Sequence, residues 1–452
     1  MTIIEWLVSG IILLGNAWMM VLLAYNLFLS LFGFRRKGKA TPEQPAQTRF
    51  LILVPAHNEE AVIADMVSNL AALDYPKELV DCYIIADNCT DQTAQIVREM
   101  GGQVIETCKE SPDAPTGKPI ALRKALEALP DYAERYDLLM IFDADNLMDA
   151  DILRKVNDQY ISENRPEIIQ CYLGTKNQEG LVAKFYHATF TITNRFMCLS
   201  RHRLGLNAAV GGTGFAVKTA YLKSRGGWTT RSLTEDFEMQ VDVTLQGGHI
   251  LWNHEARIYD EKPTNLFAAF RQNLRWSQGR WFVALRNTPR LLKEWLRRRL
   301  PFREMLSLLA YMYAMAAPVF MLFIMAVGVF RLVYPLFHGQ AMAVAANAVK
   351  TAAGAGQPSI DGILAQFAQL PSVLMFLYSF VLLYWWAERV DNKRRIRLRE
   401  LPFVLVSYGI NLINVSIAQV IGLLKHRQQN KWDKTRHKIR GRAIYLSSKG
   451  GT

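Results

Sequence analysis

LLMIFDADNLMDADIL, residues 138–153, is the stretch on which the fold turns. Leu138–Phe142 is an apolar run with the length and composition of a strand buried on both faces. It then breaks into Asp143-Ala144-Asp145-Asn146. Residues two apart on an extended chain project to one side, so Asp143 and Asp145 share a face. Two carboxylates held that close repel unless a cation lies between them. Oxygen ligands of this kind suit Mg2+ or Mn2+, ions that commonly also hold phosphates. The same acids equally suit a helix start, where negative charge meets the positive end of the helix dipole.

Working outward, FLILVPAHNEE (50–60) is a second apolar run entering a polar turn, and Ala61–Leu73 then carries a helical period. DCYIIADNCTD (81–91) repeats the pattern, with a helix expected over Gln92–Met100 and a short strand over Gln103–Ile105. Gly117–Leu129 is helical, leading to Leu138–Phe142. Strands separated by helices predict an α/β unit with a parallel, Rossmann-like sheet. Ligands of such sheets bind beyond the carboxyl ends of the strands. Asn58-Glu59, Asp87-Asn88 and Asp143-Ala144-Asp145 all fall there, so three strand ends bring acidic or amide groups to one edge.

The chain has 452 residues, more than a single core usually takes. Its apolar content is uneven. Residues 3–33 carry one charge, Glu5, and are long enough to span a bilayer. Leu306–Phe330, Ser372–Trp386 and Pro402–Leu424 are further apolar runs, and between the first and second lies a stretch of ordinary globular composition. Positive charges follow the first run (Arg35, Arg36, Lys37, Lys39), which argues against a signal peptide and predicts a cytosolic insert. Five cysteines, with no CxxC pair, predict reduced thiols and no zinc site. The net charge of +13 lies largely beside apolar segments, as in LRRRLPFR (296–303) and DNKRRIRLR (391–399). Charge so placed attracts anionic lipid head groups, so membrane lipids rather than nucleic acid are the expected partners.

VPAHNEE (54–60), ADNCTDQTA (86–94), GKPIAL (117–122), FDADN (142–146), TED (234–236) and QNLRW (272–276) together resemble the membrane-bound family 2 glycosyltransferases. That group contains the synthases of cellulose, chitin, hyaluronan and poly-N-acetylglucosamine. The resemblance implies a GT-A catalytic domain between membrane helices, and a processive, inverting synthase that extends a β-linked glycan from a UDP-sugar. It places Pro55, Glu59, Asp87 and Lys118 at the nucleotide, and Asp143 and Asp145 at the diphosphate and its Mg2+ or Mn2+. It makes Asp236 the general base. Thr234, Glu235, Gln272, Arg275 and Trp276 fall toward the acceptor and diphosphate. It also implies a growing glycan as acceptor and accessory export or modification proteins as partners. The alternative within the same chemistry is transfer of one sugar to a lipid, as ceramide glucosyltransferases perform with a related RxxRW motif.

The chemistry of the residues supports these roles independently. Glycosyl transfer passes through an oxocarbenium-like state, and the acceptor hydroxyl must lose a proton to a carboxylate within hydrogen-bond reach. Structural readings stand beside them. LTEDFEMQ also suits a helix N-terminus with Thr234 as cap. Gln272, Arg275 and Trp276 lie at i, i+3 and i+4 on one helix face, yet Trp276, Trp281 and Phe282 interleaved with Arg271, Arg280 and Arg286 also describe a helix lying on a membrane surface. GGTGF (211–215) is either a glycine stretch at the acceptor or a plain turn.

The expected organisation is a transmembrane helix (1–40), a catalytic domain (41–263), amphipathic interface helices (264–304), a transmembrane region with an external loop near 337–371 (305–424), and a basic cytosolic tail (425–452). Pro402–Leu424, flanked by basic residues on both sides, is expected to be re-entrant or interfacial.

Overall fold

The computed structural model describes residues 3–36, 41–111, 114–320, 322–324, 326–327, 378–397 and 400–429. The loop expected near 337–371 and the tail from 430 onward, with its WDKTR stretch (432–436), lie outside the described residues. The strands are β1 (Phe50–Ala56), β2 (Val80–Asp87), β3 (Gln103–Thr107), β4 (Leu138–Ile141), β5 (Leu147–Met148), β6 (Ile168–Thr175), β7 (Phe215–Lys218) and β8 (Ile250–Asp260). The helices that cover them are α1 (Ile3–Gly33), α2 (Ile63–Ala71), α3 (Thr93–Glu99), α4 (Lys118–Glu127), α5 (Tyr132–Arg135), α6 (Ile152–Ser162), α7 (Gly180–Ile192), α8 (Ser200–Arg203), α9 (Thr219–Ser224) and α10 (Glu235–Leu245). Then follow α11 (Leu266–Leu296), α12 (Phe302–Tyr313), α13 (Tyr384–Asp391) and α14 (Leu401–Leu424).

One sheet runs β3-β2-β1-β4-β7-β6-β8-β5. Its first four strands are parallel, in register from Phe50↔Val80 to Ala56↔Ala86 and from Phe50↔Leu138 to Leu53↔Ile141. The expected all-parallel sheet ends there. β7 pairs antiparallel with both β4 and β6, and β5 antiparallel with β8, which makes the sheet mixed. Because β6 and β8 again run parallel to β4, the ends of β1, β2, β4, β6 and β8 still share one edge with the start of β7.

The period of two along β1 divides the core. Phe50, Ile52 and Val54 pack with Ile63, Met66, Val97, Ile152 and Val156 of α2, α3 and α6. Leu51 and Leu53 pack with Ala121, Leu122 and Ala125 of α4 on the opposite face. Residues 50–54 are wholly buried, and each such side chain contributes about 1.5–3 kcal/mol relative to an exposed one. Pro55 is tolerated in this central strand because it lies beyond Leu53↔Ile141, the last β1–β4 pair.

Among the described residues, two helices are long and apolar enough to cross a membrane, Trp6–Gly33 and Pro402–Leu424, with mean hydropathies of 2.1 and 1.7. A third arises if α12 and the bent segment after it count as one span. α1 exposes Trp6, Leu7, Leu13 and Leu14, as a surface facing lipid does. The re-entrant expectation for 402–424 is corrected: α14 is one unbroken helix. Its polar residues pack rather than break it. Asn411 Nδ2 bonds Ser407 O within the helix, and Asn414 Nδ2 reaches Leu266 O at the start of α11. α14 packs along α11 and α7, which ties the catalytic unit to the apolar segments.

Candidate active site

Each acidic group stands at a strand end or a helix start. Asp87 closes β2 and is buried. Its Oδ1 accepts from Thr107 Oγ1 (2.8 Å) and Asn88 Nδ2 (2.8 Å). Burial pushes its carboxyl up, against the pull of the Thr107 bond. Glu59, also buried, follows β1, and its N–H donates to Thr93 Oγ1 at 2.8 Å. Asn58 and Asn88 turn the chain with φ of 55° and 52°, a conformation that asparagine tolerates better than most residues.

Asp143-Ala144-Asp145 does not cap a helix; the next one, α6, starts only at Ile152. The segment is a tight turn pinned by side chains. Asp143 N–H donates to Asn146 Oδ1 and Thr213 Oγ1, both at 3.0 Å. Asp145 is buried, with Oδ2 accepting from Glu261 N–H at 2.8 Å and Oδ1 from Asn146 Nδ2 at 3.3 Å. Asp260, the last residue of β8, lies close enough to Asp145 and Asp143 to feel both charges. Burial first, then those neighbours, push its carboxyl up, while Lys262 at 2.6 Å opposes them.

The centre of the site is Lys118, the first residue of α4. Its Nζ lies 2.5 Å from Asp143 Oδ1 and 3.9 Å from Glu235 Oε1, and it donates to the Gly212 carbonyl. Burial works against this charge, but Asp143 and Glu235 outweigh it and hold the ammonium above its usual range. Glu235 and Asp236 open α10. Burial drives both carboxyls up; Lys118 lowers both, and Asp236 adds to the rise of Glu235. Thr234 stands at the cap position, but its side chain makes no capping bond and Oγ1 is enclosed without a partner. The capping reading therefore holds for position and not for the bond.

GGTGF belongs to the site. Gly212 takes φ of +80°, and a Cβ built there would lie 3.2 Å from Asp236 Oδ2. Glycine lets this backbone run between the Asp143 turn and the start of α10.

Gln272, Arg275 and Trp276 share one face of α11. Trp276 is half-buried against Tyr186, their rings 6.2 Å apart, in a cluster with Val182, Phe185, Tyr408 and Val415. Gln272 Oε1 is enclosed with no partner. The surface-helix reading of α11 is corrected in part. Trp281 is buried in a cluster with Phe237 and Leu308. Arg280 does not point to a head group: its guanidinium lies 4.7 Å from the Tyr311 ring centroid and 5.4 Å from that of Phe237, and its charge lowers Asp236.

The structure thus joins Lys118, Asp143 and Glu235 directly, sets Asp236 beside Gly212 within reach of the Lys118 charge, and sets Pro55, Glu59 and Asp87 on neighbouring strand ends. It keeps Gln272, Arg275 and Trp276 on the adjoining helix. Of the two readings of GGTGF (211–215), the one at the site holds for Gly212 and Thr213, whereas Asp260 escaped sequence reasoning and Arg280 was read only as part of a membrane-surface helix. Arg280 had a usable signal, since it lies one turn beyond Trp276.

The fold these features define is of GT-A type, a mixed sheet covered by helices with its acidic groups along one edge. Residues 45–279, just over half the chain, match the model of the glycosyltransferase-like family 2, and the chain belongs to that family. Similar curated proteins include the Bacillus subtilis "Probable glycosyltransferase YdaM", 27% identical over 59% of this chain and 65% of that relative. The beta-monoglucosyldiacylglycerol synthase of a Nostoc species is 29% identical over 54% and 53%. The poly-beta-1,6-N-acetyl-D-glucosamine synthase of Staphylococcus aureus is 25% identical over 52% and 55%. The chain thus spans between about half and two thirds of these relatives' lengths. Among solved structures, the mannosyltransferase PcManGT of Pyrobaculum calidifontis, in complex with GDP-Man and Mn2+, superposes with a TM-score of 0.56 at 16% identity, covering 94% of this chain and all of that one. That likeness speaks for the fold.

Proposed function

We propose that the chain is an inverting membrane glycosyltransferase that polymerises a UDP-sugar, glucose or N-acetylglucosamine, into a β-linked polysaccharide and passes it across the membrane. The observation that carries the reading is the Lys118 contact, which joins the half-exposed Asp143 turn to the buried Glu235-Asp236 helix start. A donor diphosphate at the first and an acceptor hydroxyl at the second lie on opposite sides of the atom to be transferred.

In this reading Asp87 and Glu59 hold the nucleoside, with Pro55 beneath it. Lys118 meets the diphosphate, and Asp236 accepts the acceptor proton as the new bond forms and the donor bond breaks. One displacement inverts the anomeric centre. Arg275 offsets charge on the leaving diphosphate, while Trp276 offers its ring to the acceptor sugar.

Asp143 and Asp145 fit a divalent cation. They are carboxylates two residues apart, and the Asp143 side chain is 43% exposed at the open edge. Among the described residues no third His, Cys, Asp or Glu completes a cage, which suits an ion whose remaining ligands are phosphate and water. A bound Mg2+ or Mn2+ would neutralise charge on the diphosphate. PcManGT, solved with Mn2+, shares the fold.

Transfer of one sugar to a membrane lipid is the second reading, favoured by the glucosyldiacylglycerol synthase relatives. Two candidate spans support a membrane setting, and the basic flank after α1 supports a cytosolic catalytic domain. Incubating the purified chain with labelled UDP-sugars and sizing the product tests both readings.

A further inference from the structure

Glycine inside a helix is about 1 kcal/mol less favourable than alanine, yet α11 carries Gly279 in its interior. The reason is contact. A Cβ at Gly279 would lie 2.5 Å from Thr234 Oγ1, 2.7 Å from Thr234 Cγ2 and 2.8 Å from Thr234 N. The backbone of α11 thus rests on the residue two before Asp236. The same turn is held from a second side. Gln429, five residues past the end of α14, accepts from Leu233 N–H at 2.8 Å through Oε1 and donates to Gln278 O at 3.3 Å through Nε2. One amide therefore clips the 232–236 turn to α11 beside Gly279. α14 presses on α11 at the same level, where a Cβ at Gly422 would fall 2.0 Å from Ser277 Oγ.

We propose that Gly279 and Gln429 are positioning residues that seat the Asp236 turn against α11, so that the helix carrying Gln272, Arg275 and Trp276 fixes where the base stands. The inference rests on the reading of Asp236 as base. Neither is among the residues placed at the donor or the acceptor. Their effect lies in the distance between the turn and α11, because displacements near 1 Å at a reacting pair can cost about 100-fold in rate. The donor-side groups Asp87, Asp143 and Asp145 stand on strand ends of the sheet, outside this contact.

The test uses the full chain in detergent or nanodiscs. Gly279→Ala is expected to lower kcat by about ten- to 100-fold while UDP affinity, measured by calorimetry, stays within twofold. Gln429→Ala is expected to lower kcat several-fold with the same split, and Gln429→Asn to recover none of it, the shorter amide failing to reach both partners. Gly409→Ala, where a Cβ meets nothing within 4 Å, should leave kcat and melting temperature unchanged. Should Gly279→Ala fail to fold, Gln429→Ala decides alone. Unchanged kcat in Gln429→Ala, or equal losses of kcat and UDP affinity, would overturn the proposal. Asp236→Asn run in parallel separates the two claims. If it keeps turnover while Gly279→Ala loses it, the base assignment fails and the seating of the turn stands. If it is inactive while both positioning variants are normal, only the seating fails.

Discussion

Replacing Lys118 with methionine removes a cation that touches both halves of the site, and its effect follows from geometry. At 3.9 Å from Glu235 Oε1, the ammonium interacts with that carboxylate by about 4 kcal/mol at an effective dielectric of 20, and by about 1 kcal/mol if water screens fully. That attraction favours the ionised carboxyls, so its loss raises the Glu235–Asp236 pair further. The sign is fixed: both carboxyls already stand above their ordinary range through burial, and Lys118 lowers both. Without it the base holds its proton to higher pH, and the acid limb of kcat moves up in pH. The assay is kcat against pH from 5.5 to 9.5 at saturating UDP-sugar, with Lys118→Arg as the charge-keeping control. Lys118→Met should lose most at pH 6 and regain part of its activity near pH 9. Superimposable profiles, with only donor KM raised, would show that Lys118 holds phosphate and leaves the base untouched.

Further expectations concern single residues. Transfer should depend on Mg2+ or Mn2+ and be lost in Asp145→Asn, and full wild-type activity in excess chelator would defeat the metal assignment. Asp236→Asn should cost roughly 100- to 10,000-fold in kcat with UDP binding retained; near-normal turnover would pass the role to Glu235 or Glu238. Glu235→Gln should raise the melting temperature at pH 8 and leave it unchanged at pH 4. A carboxyl raised by burial from 4.5 to about 8 weakens the fold as pH climbs from the first value to the second, and an amide carries no such charge. Trp276→Ala should shorten or abolish polymer while UDP binding persists, and Trp276→Phe should keep part of the activity; polymer of normal length from the alanine variant would return Trp276 to packing against Tyr186.

The half of the sheet from residue 50 to 141 was legible because each strand is a short apolar run followed by a helical period. The rest was not. β6 carries Gln170 at its centre, a polar residue that reads against a buried strand. Its amide is nonetheless wholly buried, donating to Thr213 O and Gly214 O while Gly211 N–H reaches its oxygen. β7 is four residues long, and β6 against β8 slips register between Cys171 and Tyr172. Such pairings are set by contacts distant in sequence, which no local period records. The site divides in the same way. Asp143 and Asp145 stand out by spacing, and Glu235 and Asp236 through the family resemblance of the TED stretch (234–236). The bridging of Lys118, the approach of Gly212 to Asp236 and the turning of Arg280 inward exist only once distant segments meet. α14 misled for a physical reason: basic flanks and internal asparagines suggested a break, but Asn414 bonds α11 instead.

The most direct test of the account is the size of the product. Purified full-length chain in nanodiscs, given Mg2+ or Mn2+ and radiolabelled UDP-glucose or UDP-N-acetylglucosamine, is predicted to build a labelled polymer that a β-specific glycosidase degrades, and Asp236→Asn is predicted to build none. Label confined to a single sugar on an extractable lipid would contradict the polymerase reading, and no transfer from any UDP-sugar would contradict the account at its centre.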